Sequence, residues 1–308
     1  MARRQGRSLA VLLALLAVLA ACAAPDGEGS PVTTDSPPTS VSTTTSVPPS
    51  TTTTISLSTT TTAGPTTSSL SPPAEPAEID AEVGVPEGEG PFPAVVLVHG
   101  GGWVGGNPGF MRPLADHLED NGFLTVNIRY RLASLEVPGY PEAVEDVACA
   151  VRFAAAHPMS DGSVAIIGHS AGAHLAALVA LKGDEYIGSC EIPGSGRPTR
   201  LVGLAGPYDT DRVGLAMLPF FGEGPSVNPE LWEEGNPQAH ADRTPGLSAL
   251  IMFGEFDGLV DDRFASDFHQ AIVEAGGDSL LELVEGARHN DMPDPTFVGD
   301  LIVTWLER

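Results

Sequence analysis

The chain has 308 residues, with 40 Asp or Glu against 15 Lys or Arg, and a formal net charge of −25. Nucleic acid and anionic lipid surfaces are excluded as partners of a folded surface, because phosphate binding needs clustered Lys and Arg. Three cysteines are too few for a disulfide scaffold. The sequence has no short repeat of the kind that builds a collagen or a coiled coil.

The N-terminus has the pattern of an export signal. Arg3, Arg4 and Arg7 precede an apolar run over 9–21, which is too short for a mature transmembrane helix. We therefore predict a signal peptide over 1–21. Its last residues and the cysteine that follows read Leu-Ala-Ala-Cys, which resembles the bacterial lipobox and implies lipidation of Cys22. That implies an exported protein, anchored by lipid on the extracytoplasmic face of the cell membrane. The alternative is an ordinary secretory peptide with an incidental cysteine.

A stretch of low complexity follows the signal. Ser, Thr and Pro make up 35 of the 44 residues over 30–73. Such a segment has too few apolar groups to offset the entropy of ordering it. We predict an extended tether over 22–75, a composition that also suits O-glycosylation.

The remainder, 76–308, has the length and pattern of one globular domain. Short apolar runs predict buried strands at 93–98, 123–128, 164–167, 201–204, 250–253 and 280–284. Helical patterns lie at 111–120, 141–156, 171–181, 261–275 and 295–306. Alternating strands and helices predict an α/β fold, with a mostly parallel sheet covered by helices on both faces. Functional loops are then expected at the carboxyl ends of the strands.

The turn after the third of these strands carries a candidate nucleophile. Ser170 is the centre of a Gly-His-Ser-Ala-Gly sequence between an apolar strand and an Ala-rich helix. This is the context of a nucleophile elbow, in which a strained turn exposes the serine hydroxyl at a helix N-terminus. The alternative is a serine in an ordinary glycine-rich turn.

The first strand leads into a His-Gly-Gly-Gly-Trp loop. Consecutive glycines allow backbone N–H groups to approach a developing oxyanion. We assign the amides of Gly101 and Gly102 to that role, together with that of Ala171. A phosphate-binding loop would carry a lysine or a nucleotide fingerprint, and neither is present. His99 is expected to orient the loop, and Trp103 to line a substrate pocket or to pack.

An acid and a base are needed to activate the serine, and on this scaffold they follow it in the order acid, then histidine. Asp257 follows a predicted strand and precedes a glycine, so we favour it over Glu255 and Asp261. His289 follows the last strand and is the best candidate for the base. His269 lies within a helical pattern, where a surface position is expected.

Together these motifs resemble the α/β-hydrolase fold, over about residues 79–308. The glycine loop resembles that of the microbial esterase and lipase group akin to hormone-sensitive lipase. The Gly-His-Ser-Ala-Gly-Ala-His sequence resembles more closely the acetylxylan/feruloyl esterase and kynurenine formamidase branches. The Tyr-Arg-Leu at Tyr130, the Tyr-Pro-Glu-Ala at Tyr140 and Asp146 also match the group's pattern.

Two departures from the group accompany this resemblance. Only 79–85 is available for strands before the glycine loop's strand, so the sheet should be shortened at its N-terminal edge. His169 stands where the lipase-like branch has aspartate, and we include it with Trp103 as a candidate pocket residue.

Outside these motifs, the sequence between 206 and 244 is a long excursion containing Phe220, Phe221 and Trp232. Such loops are often lids, so we consider an aromatic cap over the substrate, with an irregular packed insertion as the alternative. Cys149 and Cys190 are expected to form a disulfide in an exported protein, the alternative being two buried thiols. No metal or cofactor motif is evident.

The sequence thus predicts a serine carboxylic-ester hydrolase that acts on short-acyl or acetyl esters outside the cytoplasm. Its substrate would be a small molecule or an ester borne on a polysaccharide. The same groups could cleave an amide or peptide bond. A non-catalytic surface binding module with this fold is the alternative from another class.

Overall fold

The computed structural model describes residues 79–308. The predicted signal peptide, the lipidation site Cys22 and the tether over 22–75 lie outside the described residues.

A seven-stranded sheet forms the centre of the described region. Its strands are β1 (Ala81–Gly84), β2 (Phe92–Val98), β3 (Leu124–Ile128), β4 (Ser160–His169), β5 (Arg200–Leu204), β6 (Ser248–Gly254) and β7 (Asp278–Val284). Their order across the sheet is β1-β3-β2-β4-β5-β6-β7. The pair β1 and β3 is antiparallel, and every other neighbouring pair is parallel. The predicted mostly parallel sheet is confirmed.

Among residues 79–308, five helices of nine residues or more cover the sheet. They are α1 (Arg112–Asp120), α2 (Glu142–Ala156), α3 (Ala171–Lys182), α4 (Asp262–Glu274) and α5 (Pro295–Leu306). Successive residues of a strand face opposite sides of the sheet. Val96 and Val98 of β2 therefore pack in the cluster that contains α2, α3 and α4, while Val95 and Leu97 pack in the cluster of α1 and α5. Burial on both faces explains why the central strands read as continuous apolar runs.

The register of the strands brings their carboxyl ends to one edge of the sheet. Val98 at the end of β2 lies opposite Ile128 of β3 and Gly168 of β4. On the other side of β4, His169 lies opposite Leu204 of β5. The loops that carry the predicted functional residues therefore start from neighbouring positions.

The N-terminal edge of the sheet is short, as expected. In the part of the chain that the structure describes, β1 is the only strand beyond β3. β4 is longer than the pattern predicted, because it begins at Ser160 and continues through His169. The first residues of β4 are polar, so the apolar run predicts only the middle of the strand. Because β4 ends at His169, Ser170 follows the strand directly.

A disulfide joins Cys149 of α2 to Cys190, with 5.7 Å between the two Cα atoms. The predicted pairing is therefore present. Arg152, one turn further along α2, donates hydrogen bonds to the carbonyls of Gly194, Tyr186 and Gly183. The segment between α3 and β5 is thus fastened to α2 by a covalent bond and a buried guanidinium.

Candidate active site

Ser170 occupies a strained turn between β4 and α3. Its φ of 54° and ψ of −122° lie in a region that residues with a side chain rarely adopt. The turn can pack closely against the end of β2 because Gly172 has no side chain. A Cβ at this position would overlap the carbonyl oxygens of Val98 and His99. The Ser170 amide donates to the carbonyl of Leu204 at 2.8 Å. The hydroxyl is left at the N-terminus of α3, where the helix dipole favours negative charge.

His289 lies within hydrogen-bond distance of this serine. It opens a short 3-10 turn after β7, and its side chain is 8% exposed. Its Nε2 is 2.9 Å from Ser170 Oγ, and its Nδ1 is 2.8 Å from Asp257 Oδ2. Because the carboxylate accepts a hydrogen bond from Nδ1–H, Nε2 is left to accept the hydrogen bond of the serine hydroxyl.

Asp257 follows β6, and its side chain is 3% exposed. Its second oxygen, Oδ1, accepts from the amides of Leu259 at 2.8 Å and Val260 at 2.9 Å. Burial by itself would raise the pKa of Asp257, but the hydrogen bond and charge of His289 and these two amides outweigh it. The net pKa is lowered, so the carboxylate stays ionised at neutral pH.

The two carboxylates that compete with Asp257 in the sequence have other partners. Glu255 accepts the amide of Gly286 at 2.9 Å, which joins the loop after β6 to the loop after β7. Asp261 caps α4 and pairs with Arg263. Neither carboxylate has a hydrogen bond to His289 in the described region.

The glycine loop after β2 has a left-handed backbone at three successive residues. Gly101, Gly102 and Trp103 have φ values of 132°, 59° and 63°. A Cβ at Gly101 would overlap the carbonyl of Gly105, whose amide donates back to Gly101 at 3.0 Å. Among the described residues, no loop or turn hydrogen bond has the amide of Gly101 or Gly102 as its donor. These amides can therefore serve a ligand.

His99 and Tyr130 pack together and hold the start of this loop through hydrogen bonds. Their rings stack with centroids 4.4 Å apart, and the Tyr130 hydroxyl donates to the His99 carbonyl at 3.1 Å. His99 Nδ1 donates to the Gly100 carbonyl at 2.8 Å. Burial lowers the pKa of His99 to about 4, so the ring is neutral near pH 7. The position of His99 fits the predicted orienting role, whereas the contribution of Tyr130 could not be deduced from its motif alone.

A cavity of about 300 Å³ adjoins Ser170. Gly102 and Ala171 line it, as does Trp103, whereas Gly101 and His169 are outside the lining. The other lining residues are mostly apolar: Val104, Pro207, Arg212, Val213, Ala216, Pro219, Leu259, Val260 and Phe264. The space beside the hydroxyl therefore suits an apolar group of modest size.

The long excursion contributes to the cavity differently from the prediction. Phe220, Phe221 and Trp232 are at most 3% exposed and pack in the core, so they form no cap over the cavity. Phe220 lies against Trp103, with ring centroids 5.8 Å apart, and Phe221 lies against Trp232 at 4.8 Å. The packed-insertion alternative is therefore the correct one for these aromatics. Other residues of the same excursion line the cavity: Pro207, Arg212, Val213, Ala216 and Pro219.

Arg212 is a lining residue that sequence reasoning missed. Its guanidinium lies 5.1 Å from the centroid of the Phe264 ring and donates to Asp267 Oδ2 at 2.5 Å. Asp267 is on α4, far along the chain, so no local motif indicates this ion pair. The pair links the excursion to α4 at the side of the cavity.

A larger cleft, of about 860 Å³, lies beside the disulfide. Its lining includes Ile79, Arg131, Asp146, Cys149 and Cys190 but none of Ser170, Asp257 and His289. Within residues 79–308, no group of three His, Cys, Asp or Glu side chains is placed to hold a metal. None of the helices described is both long and apolar enough to cross a membrane.

The parallel sheet and the elbow after β4 define an α/β-hydrolase. Within that class, the chain belongs to the BD-FAE family, whose profile matches residues 83–272, more than half of the chain.

Curated relatives include ester hydrolases of Mycobacterium tuberculosis. The chain is 29% identical to the probable carboxylic ester hydrolase LipM over 196 residues, 58% of this chain and 44% of the relative. It is 26% identical to the esterase LipQ over 235 residues, 70% of this chain and 52% of the relative. The chain thus spans about half the length of these two relatives, and about a third of the esterase LipC.

Solved structures share the fold at low identity. A truncated carbohydrate esterase from gut microbiota has a TM-score of 0.63 at 20% identity, over 73% of this chain and 89% of that chain. An acetyl ester-xyloside bifunctional hydrolase from Caldicellulosiruptor lactoaceticus has a TM-score of 0.64 at 19% identity, over 77% and 90%. These similarities show the fold.

Proposed function

We propose that the protein is a serine carboxylic-ester hydrolase that works through an acyl-enzyme. The observation that carries this proposal is the hydrogen-bonded series from Ser170 Oγ to His289 at 2.9 Å and from His289 to Asp257 at 2.8 Å. Ser170, at one end of the series, lies on a cavity that Gly102 and Ala171 also line. Membership of the family and the ester hydrolases among its relatives support an ester as the bond that is cleaved.

The first half of the reaction acylates the serine. Ser170 Oγ attacks the ester carbonyl carbon while His289 Nε2 takes the hydroxyl proton. The carbonyl π electrons move to oxygen, and the amides of Gly102 and Ala171, joined by Gly101, stabilise that negative charge. When the tetrahedral intermediate collapses, His289 gives its proton to the departing alkoxide, and the alcohol leaves.

The second half returns the free enzyme. A water molecule gives a proton to His289 Nε2 as its oxygen attacks the acyl carbon, and Ser170 leaves with that proton. Asp257 remains ionised throughout, holds the proton at His289 Nδ1 and stabilises the imidazolium that forms twice in the cycle. Its lowered pKa suits this task.

We propose esters of short acyl groups as substrates. The apolar lining and the volume of about 300 Å³ are sufficient for an acetyl or butyryl group. An ester borne on a polysaccharide is a second source of such a group, since the reacting bond would enter the cavity while the polymer stays outside. The carbohydrate and acetyl esterases among the structures that share the fold are consistent with it.

We further propose that the enzyme is exported and held by lipid at Cys22 on the extracytoplasmic face of the membrane. The support is the signal pattern over 1–21 and the cysteine where cleavage is expected. Metabolic labelling with a fatty acid tests this proposal. Label should enter the wild-type protein and be lost from Cys22→Ser, and equal labelling of both would contradict it.

Hydrolysis of p-nitrophenyl acetate, butyrate and decanoate by the purified protein tests the reaction. We expect turnover to fall steeply with chain length, and Ser170→Ala to lose at least about three decades of kcat. Lack of activity on all three esters, or equal activity of the variant, would overturn the proposal. Activity on amides alone would replace the ester by an amide bond, and binding without turnover would indicate a binding module.

A further inference from the structure

His169 is a buried titratable group that the proposed reaction does not use. It is the last residue of β4, directly before Ser170, and it is 6% exposed. The cavity lining does not include it. Burying a polar ring at this point costs free energy of desolvation, so the ring should have a hydrogen-bond partner that offsets this cost.

The partner of His169 is the backbone of the base. Its Nε2 donates to the carbonyl oxygen of His289 at 2.9 Å, and the two ring centroids are 4.9 Å apart. The other donor to that carbonyl, the amide of Met292, is 3.4 Å away. Of these two hydrogen bonds to the His289 carbonyl in the described region, the one from His169 is therefore the shorter.

The opposite side of the His169 ring faces the oxyanion loop. A Cβ at Gly100 would lie 2.8 Å from His169 Nδ1 and 3.1 Å from Ser170 Cβ. One ring thus lies against the loop after β2 and the loop after β7, and is attached to the strand that carries the nucleophile. A change in this ring can move all three relative to one another.

The ring is also held in one charge state. Burial, followed by the neighbouring His289 ring and by His99, lowers the pKa of His169 to about 3, although the hydrogen bond to the His289 carbonyl and the charge of Asp257 oppose this shift. His169 is therefore neutral wherever an ester hydrolase with a histidine base works. It supplies a hydrogen-bond donor without placing a second positive charge beside the imidazolium of His289.

We propose that His169 is a positioning residue, which holds the His289 main chain through its Nε2–H so that the imidazole stays in line with Ser170 Oγ. This inference rests on the proposed function. The residue does not touch the reacting atoms, so its effect should appear in kcat rather than in substrate binding.

Three variants distinguish a positioning role of His169 from a role in filling space: His169→Gln, His169→Asn and His169→Leu. In His169→Gln the side-chain amide nitrogen can occupy the place of Nε2, whereas in His169→Asn it reaches only the place of Nδ1. We expect Gln to keep kcat for p-nitrophenyl butyrate within about 5-fold of the wild type, and Asn and Leu to lose about 10- to 100-fold, since a misplacement near 1 Å costs about 100-fold. KM should change little, because the cavity lining is intact.

The thermal midpoint of each variant is measured first, and kcat is compared only between variants whose midpoints are close to that of the wild type. Ser170→Ala gives the background rate of hydrolysis. Equal kcat for Gln and Asn, or wild-type kcat in a folded His169→Leu, would overturn the inference. If Leu does not fold, the Gln and Asn pair still decides. If none of the three folds, His169 is a core residue and the inference is wrong.

The two proposals fail in different ways. A wild-type protein without esterase activity overturns the proposed function, and this inference with it. A wild-type protein whose activity is lost in Ser170→Ala, but whose Gln and Asn variants are equal, retains the function and loses only the role of His169.

Discussion

The loop after β2 and the excursion between β5 and β6 both line the cavity beside Ser170, but different interactions shape them. The loop has a left-handed backbone at Gly101, Gly102 and Trp103, and a Cβ at Gly101 would overlap the Gly105 carbonyl. The excursion is held by side chains far apart in sequence, such as Trp232 in the core and Arg212 paired with Asp267. Local sequence therefore contributes more to the shape of the first region, and packing between distant segments contributes more to that of the second.

The largest expected effect is on kcat, and it comes from the hydrogen-bonded series of Ser170, His289 and Asp257. Asp257→Asn should lower kcat by about 10⁴-fold, because the amide favours the wrong tautomer of His289. Steady-state hydrolysis of p-nitrophenyl acetate measures this loss. Asp261→Asn, which changes only the cap of α4 and a surface ion pair with Arg263, should retain most of the activity; a similar loss in both variants would contradict the assignment of the acid.

Removing the main core anchor of the excursion should affect stability. Trp232 is 1% exposed and donates from Nε1 to the Glu223 carbonyl at 2.8 Å. Trp232→Ala should lower the free energy of unfolding by about 3–5 kcal/mol, as measured by urea denaturation. Phe297→Ala, at an aromatic side chain that is 40% exposed, is the matched control and should cost far less. A comparable cost in both would show that the excursion does not depend on this anchor.

Acid should destabilise both regions through buried neutral histidines. Burial lowers the pKa of His99 and of His174 to about 4, and that of His169 to about 3. The unfolded chain protonates these rings below about pH 6.5, whereas the folded chain does not. Their contribution to stability is therefore complete above about pH 6.5 and declines as the pH falls toward 4.

At about pH 5 the loss should be about 2 kcal/mol for each fully buried ring. Thermal midpoints measured from pH 7 to pH 5 test this expectation. His174 joins the two regions, accepting from Trp103 Nε1 at 3.2 Å and donating to the Gly235 carbonyl at 2.9 Å. In His174→Gln the acid-dependent fall should be smaller, and an unchanged fall would argue against a buried neutral ring.

The smallest effect should come from narrowing the cavity. Ala216 lines it from the excursion, so Ala216→Leu should reduce kcat/KM for butyrate more than for acetate, by about 10-fold. Leu215→Met, at a neighbouring position outside the lining, should leave the ratio unchanged. A ratio that does not change in Ala216→Leu would show that the acyl group lies elsewhere.

The same contrast explains how far the sequence could predict the structure. Apolar strand runs and the Gly-rich turns are local signals, so the parallel sheet and the elbow at Ser170 could be predicted. The sequence could rank Asp257 above Glu255 only by a flanking glycine. In the structure, the distinction lies in which carboxylate reaches His289 and which reaches the Gly286 amide.

Features that depend on packing between distant segments could not be predicted. Nothing local indicates that Phe220 and Trp232 enter the core while Arg212 and Ala216 face the cavity. The orientation of His169 toward the His289 carbonyl joins residues 120 positions apart. The hydropathy pattern indicates whether such a side chain is apolar or polar. Its contact partners are determined only when the fold brings distant segments together.

Covalent trapping of the nucleophile tests the central claim most directly. The purified protein is incubated with a p-nitrophenyl phosphonate ester, and peptide mass spectrometry locates the adduct. We expect one adduct, on the hydroxyl of Ser170, forming much more slowly in His289→Ala and absent from Ser170→Ala. Stoichiometric labelling of another residue, or none in a folded protein, would contradict the claim that Ser170 is activated by His289 and Asp257.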